Sequence, residues 1–320
     1  MNNEYGFRVG FQPFMLTPPA GTPAGMAQYQ WTLDECERLG AKAISFMPYF
    51  IPEGAGPDTL KEMAAMAKEK DVKMIMYAFT TWALAGKCEP LAGTALGQLT
   101  DPAAARAGVE KMVNLAKIFD ANVLCSGYNG SLVVKASRWS KEFPFSEQRK
   151  HIVKCLKEMA RILDGTGLVF GFENHCDFTG KEMAGMIEEV GEDNIRIQYD
   201  FGNGAIACCD PMEDVDYLAP YAVSAHFKDF KVIDNPLKTD TWPDMPMRTT
   251  GCYLGEGMID FDVILKAIIE KNPNPKGLCL LAEPAFQFPE TEEEKNDLKE
   301  FDRKVTRQYV KKMQEIVQRF

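Results

Sequence analysis

The chain has 320 residues, of which 46% are hydrophobic and 26% charged, and a formal net charge of −10. Apolar material for a core is ample, which excludes disorder as the main state, and no run of about 18 apolar residues offers a membrane span. No dense Lys/Arg block accompanies the negative charge, so nucleic-acid binding through clustered cations is excluded as well.

Along the chain, short apolar or β-branched runs alternate with stretches of helical spacing. Eight runs read as strands: 8–14, 43–48, 73–79, 122–127, 168–174, 195–201, 222–227 and 277–283. Runs this apolar suit strands covered on both faces, as in a parallel sheet. Between them, apolar residues recur at i, i+3, i+4 and i+7, as in Leu60, Met63, Ala64 and Ala67. Similar stripes run through Val109–Ala116 and Ile152–Leu163, then from 183 to 190, 261 to 268 and 305 to 317, whereas 211–218 is short and weak. Thr32/Glu35, Thr59/Glu62 and Thr179/Glu182 have capping-box spacing.

Eight such units predict an α/β fold with a single (β/α)8 TIM barrel domain over 1–320. The rival doubly wound sheet carries a G-x-G-x-x-G turn after its first strand. Here the first strand ends Gly10-Phe11-Gln12-Pro13-Phe14, without that turn, and no P-loop occurs. Three long connections, at about 80–100, 128–146 and 228–257, each follow a strand. In a barrel they lie on the C-terminal face, where active sites form.

The last four strands each end in an ionisable residue: Glu173, Asp200, His226 and Glu283. Three carboxylates gathered in a partly dry cup repel one another, and a divalent cation removes that repulsion. Three oxygens and one imidazole favour Mn²⁺, with Mg²⁺, Co²⁺ and Zn²⁺ open. Taken singly, each carboxylate reads as a helix cap or a solvated loop residue; the repetition at one height on four strands points to one metal site.

Side chains two apart share a strand face. His175 therefore accompanies Glu173, as a second base or a contact to a substrate hydroxyl. Lys228 accompanies His226 and could neutralise an enolate. The plainer readings are a supporting hydrogen bond for His175 and a surface ion pair of Lys228 with Asp229. His151 reads as a solvated helix residue. Arg248 and Glu256 lie in the long loop, within reach of the mouth. Phe14, Trp82 and Tyr128 follow strand ends and read either as stacking faces for a sugar or aglycone or as core and lid packing. The nine cysteines form no C-x-x-C, and Cys125 and Cys279 lie in apolar runs as inert core residues. The opening Met1-Asn2-Asn3-Glu4-Tyr5 lacks the pattern of a signal peptide, so a cytoplasmic location is expected.

Five motifs carry a family resemblance: Glu173-Asn174-His175, Asp200-Phe201-Gly202-Asn203, His226-Phe227-Lys228-Asp229, Gly255-Glu256-Gly257 with Asp260-Phe261, and Glu283-Pro284. In them the sequence resembles the xylose-isomerase-like TIM-barrel superfamily, in particular its sugar phosphate isomerase/epimerase branch. The resemblance implies that Glu173, Asp200, His226 and Glu283 hold one divalent metal, commonly Mn²⁺. It also implies that Glu173 and Glu283 move protons beside a substrate carbonyl, and it matches Arg248 to a substrate-contacting arginine. Many members carry His three residues after the strand-six Asp, where this chain has Asn203. The histidine-rich trinuclear zinc site of the superfamily's endonucleases has no counterpart among three histidines.

The expected activity is thus a metal-dependent sugar isomerase or epimerase that removes a proton alpha to a carbonyl. A lyase on keto-sugars, of the C-glycoside deglycosidase or inosose dehydratase type, would use the same site. A non-catalytic carbohydrate-binding barrel is the third reading. The expected partner is a small sugar or keto-sugar glycoside, with no nucleic acid and no membrane; a homo-oligomer or a small partner subunit stays open.

Overall fold

The structure, a computed structural model, describes residues 3–86, 101–128, 137–207, 209–235, 247–284, 287–289 and 291–320. Eight parallel strands close into a barrel: β1 (Arg8–Phe11), β2 (Ala43–Phe46), β3 (Lys73–Tyr77), β4 (Val123–Gly127), β5 (Val169–Glu173), β6 (Ile195–Asp200), β7 (Ala222–Phe227) and β10 (Cys279–Ala282). The predicted eight-unit barrel is therefore the observed architecture, with each strand inside or matching its expected span. Closure comes from β1, which pairs with β10 through Arg8↔Cys279 to Phe11↔Ala282 and with β2 through Gly10↔Ala43. At that second contact a Cβ on Gly10 would stand 1.6 Å from the Ala43 carbonyl oxygen, so only glycine lets the two backbones meet.

The outer layer holds α1 (Met26–Leu39), α2 (Pro57–Glu69), α3 (Pro102–Ile118), α4 (Phe145–Leu163), α5 (Gly180–Val190), α6 (Asn203–Ile206), α7 (Val215–Leu218), α8 (Phe261–Lys271), α9 (Glu292–Asn296) and α10 (Leu298–Val317). Their apolar stripes face the barrel: Ile152, Cys155, Leu156, Met159 and Leu163 of α4 are all buried, as are Val305, Tyr309, Met313, Ile316 and Val317 of α10. The weak stretch at 211–218 contains only the single turn α7. Among the described residues no helix is long and apolar enough to cross a membrane.

Two expected helix starts are displaced. Only Thr179/Glu182 forms its capping box. Helix α1 begins at Met26, so Thr32 is mid-helix and its hydroxyl donates to the Gln28 carbonyl. Helix α2 begins at Pro57, whose ring fixes φ for the first turn, and Thr59 lies inside it. A further box, Thr291/Glu294, caps α9.

The connection after β7, long and loop-like in sequence, contains an antiparallel hairpin, β8 (Phe230–Asp234) and β9 (Met247–Gly251). Parts of the three long connections, residues 87–100, 129–136 and 236–246, lie outside the described residues, as do Cys88 and Cys208.

Candidate metal centre

The register of the strands sets the site. Asp200 lies directly beside His226, while Glu173 pairs with Gln198 and His226 with Leu281. Glu283 follows β10, and its N–H bonds the Phe227 carbonyl at 3.1 Å. One ligand-type atom from each of Glu173, Asp200, His226 and Glu283 lies within 4.8 Å of all the others. His226 Nδ1 stands 2.6 Å from Glu283 Oε2, 3.4 Å from Glu173 Oε1 and 3.5 Å from Asp200 Oδ2.

These separations suit one cation. Donors on adjacent corners of an octahedral ion, with bonds of about 2.0–2.2 Å, stand roughly 3 Å apart. His226 Nδ1, Asp200 Oδ2 and Glu283 Oε2 are buried and face one another, with the Lys228 ammonium 2.8 Å from Asp200 Oδ2, and their convergence on one point fits a shared ion. Three carboxylate oxygens and an imidazole are a donor set for Mn²⁺, Mg²⁺, Co²⁺ or Zn²⁺.

The turn after β6 aims one oxygen of Asp200 at the cluster. Its Oδ1 accepts the N–H groups of Gly202 and Asn203, both at 3.0 Å, which leaves Oδ2 for the site. Asn174 clamps the same residue, donating to its carbonyl at 2.8 Å and accepting its N–H at 2.7 Å.

Lys228 is 3% exposed, and its ammonium lies 2.8 Å from Asp200 Oδ2, 3.2 Å from Glu283 Oε1 and 3.1 Å from Asn203 Oδ1. Burial alone would lower its pKa, but Asp200, Glu283 and Glu173 hold it above the ordinary lysine range. Burial likewise opposes the charge on Glu283, yet Lys228 and His226 keep its carboxyl well below the usual range. His226 is raised well above an ordinary histidine by Glu283 and Glu173, against its burial.

The surface pair of Lys228 with Asp229 is replaced by a different arrangement. Adjacent strand residues point to opposite faces, so Asp229 turns away from the site. Its carboxylate accepts the N–H groups of Phe230 (2.9 Å), Gly255 (2.8 Å), Gly257 (3.0 Å) and Ile259 (3.2 Å). A Cβ on Gly257 would lie 2.1 Å from Asp229 Oδ1, so the Gly-Glu-Gly turn needs that glycine for close approach.

His175 stands beside the quartet and outside it. Its Nδ1 is 3.6 Å from Asp177 Oδ2, its side chain is 19% exposed, and its N–H bonds the Glu173 carbonyl at 2.8 Å. Burial would lower its pKa, and Asp177 and Glu173 raise it. Phe14 is 43% exposed. Arg248 is partly buried in β9, with its guanidinium 5.4 Å over the Phe288 ring.

Three expected placements need correction, those of Trp82, Tyr128 and His151. Trp82 and Tyr128 are buried, so the packing alternative holds and they offer no face to a sugar. Trp82 lies 5.0 Å from Phe172 and 6.2 Å from Phe170, residues on the face of β5 opposite Glu173, and 5.7 Å from Tyr128. Glu256 is exposed at the tip of the turn that encloses Asp229. His151 is partly buried, 2.8 Å from the Trp82 carbonyl, and burial lowers its pKa.

Two site residues escaped the sequence reading. Gln12, just after β1, has its amide 2.5 Å from His226 Nε2 and 2.8 Å from the Tyr77 hydroxyl. Both are fully or nearly fully buried. The only signal was a polar residue at the end of each apolar run.

Residues 33–303 match the Xylose isomerase-like TIM barrel family, and the chain belongs to it. A curated relative, the "Uncharacterized protein YihM" of Escherichia coli (strain K12), is 24% identical over 136 residues, 40% of this chain and 39% of that protein. The chain thus matches well under half the length of that relative. Among solved structures, a xylose isomerase-like TIM barrel protein from Mycobacterium smegmatis in complex with magnesium superposes with a TM-score of 0.64 at 13% identity, covering 97% of this chain and 100% of that one. An L-ribulose 3-epimerase superposes with a TM-score of 0.62 at 15% identity, covering 98% and 96%.

Proposed function

We propose that this member of the xylose isomerase-like TIM barrel family is a metal-dependent sugar isomerase or epimerase, with one barrel domain spanning 1–320 and a cytoplasmic location. The observation that carries the reading is the convergence of buried Glu173, Asp200 and His226 with part-buried Glu283 on one point. These four residues hold one divalent ion, Mn²⁺ first, which when bound polarises the carbonyl and neighbouring hydroxyl of a keto-sugar.

Glu173 and Glu283 act as the acid/base pair at the carbon beside the carbonyl. One carboxylate removes the proton, and the other returns it on the opposite face or to the next carbon. Lys228 steadies the negative charge that builds on the sugar as the proton leaves. His175, close to Glu173 and outside the ligand set, contacts a substrate hydroxyl or serves as a further base. Arg248 and Phe14 bound the substrate at the rim. A magnesium-bound neighbour and an epimerase on the same fold support the reading.

The test is incubation of the Mn²⁺-loaded protein with a ketohexose and with a 3-keto glycoside in heavy water. Solvent deuterium in the recovered sugar is the expected result. Release of an aglycone or of water without exchange assigns a lyase on the same site. No turnover of either, with metal bound, overturns the enzymatic reading.

A further inference from the structure

Gln12 touches the site from behind. One end of its amide meets His226 Nε2 and the Tyr77 hydroxyl, and the other end has no hydrogen-bond partner among the described residues. The nitrogen and oxygen of an amide have nearly the same shape, so chemistry decides which faces the ring. Either orientation leaves one end unpaired, so counting hydrogen bonds does not choose. The imidazole does. An amide N–H facing Nε2 requires that nitrogen to be bare, which puts the ring proton on Nδ1. Nδ1 is the nitrogen that faces the three carboxylates, and a proton there occupies the lone pair a cation needs. A ring bound through Nδ1 carries its proton on Nε2 and must donate it.

We propose that Gln12 is a positioning residue for His226: its carbonyl oxygen accepts the Nε2–H, fixing the tautomer whose bare Nδ1 faces the cation. The second lone pair of that oxygen accepts the Tyr77 hydroxyl proton. Partners of this kind orient ligand imidazoles, and their loss costs about 10–100-fold in metal affinity. The proposal rests on the quartet being the metal site.

The experiment uses Zn²⁺ as a diamagnetic probe on the full chain. Dissociation constants are measured by chelator competition for wild type, Gln12→Met and Gln12→Glu. Long-range ¹⁵N–¹H spectra read the histidine tautomers, a tractable task with three histidines in the chain. Gln12→Met removes the acceptor at similar volume and should weaken Zn²⁺ binding about 10–100-fold. Gln12→Glu keeps an acceptor and should bind at least as tightly as wild type. The Zn²⁺-loaded wild type should show His226 protonated on Nε2 with Nδ1 on the metal. If Gln12→Met does not fold, the spectra of wild type and Gln12→Glu decide the matter. Wild-type affinity in Gln12→Met, or a His226 proton on Nδ1 in the Zn²⁺ form, overturns this inference alone. A wild type that binds no Zn²⁺ overturns the metal-site reading along with it.

Discussion

Replacing Lys228 with Met removes a buried cation while leaving its volume nearly filled. Its ammonium lies 2.8 Å from one carboxylate and 3.2 Å from another. At an effective dielectric constant of about 20, those contacts are worth roughly 6 and 5 kcal/mol before desolvation. Taking the ammonium out of water costs several kcal/mol, and breaking a buried pair from one side typically destabilises by about 3–5 kcal/mol. For a chain of this size the metal-free Tm should fall by roughly 4–8 °C. A divalent ion brings two charges to the same carboxylates, so loading with Mn²⁺ should recover most of that loss. Metal content should stay near that of wild type, because Lys228 competes with the ion for Asp200 and Glu283. Turnover should drop about 10²–10³-fold, the usual cost of one electrostatic stabiliser. Calorimetry with and without Mn²⁺, metal analysis and initial rates cover the three readouts. Full activity in the variant, or an unchanged metal-free Tm, refutes the reasoning.

His226→Ala should lose both metal and activity, whereas His175→Ala should keep the metal and lose about 10²–10⁴-fold in rate; equal metal loss in the two, measured by atomic emission, would make His175 a ligand. Chelation of the wild type should lower its Tm, and readdition of Mn²⁺ at 100 times its dissociation constant should restore about 2.7 kcal/mol, read by thermal unfolding across a Mn²⁺ series. Gly257→Ala places a methyl against Asp229 and the Phe230 carbonyl. It should lower Tm and speed amide exchange at Gly255 and Ile259 before it affects metal content, and wild-type exchange at those amides would contradict the close-approach account.

The barrel was legible because each strand is a short apolar run, and the quartet because four such runs stop at a charge. Strand alternation also puts Lys228 on the side of His226. Gln12 and Tyr77 were not legible, since they come from β1 and β3 and meet His226 of β7 only once the barrel has closed. No local pattern encodes a contact between residues 214 apart in sequence. The hairpin was hidden for a different reason: β8 is buried at Phe230 and alternates half-buried with exposed after it, so no apolar run announces it. The starts of α1 at Met26 and α2 at Pro57 are misleading in sequence because Thr32 and Thr59, both inside those helices, have the spacing of a cap. Trp82 and Tyr128 were ambiguous in sequence because an aromatic after a strand can turn either way, and only the Phe170 and Phe172 rings behind β5 fix the direction.

Asp229 gathers both ends of the hairpin at one point. Beyond its carboxylate contacts, its carbonyl accepts the Cys252 N–H at 3.1 Å, and the Phe230 carbonyl accepts the Met258 N–H at 2.8 Å. The chain therefore leaves the barrel and returns to it through a single closed clasp, directly behind the residue that places Lys228 in the site. A segment fastened in this way can be shortened, lengthened or exchanged between 231 and 250 while the strand that carries His226 and Lys228 keeps its register. The clasp thereby lets this connection diversify in sequence and length without retuning the strand ends where Asp200, His226 and Lys228 meet.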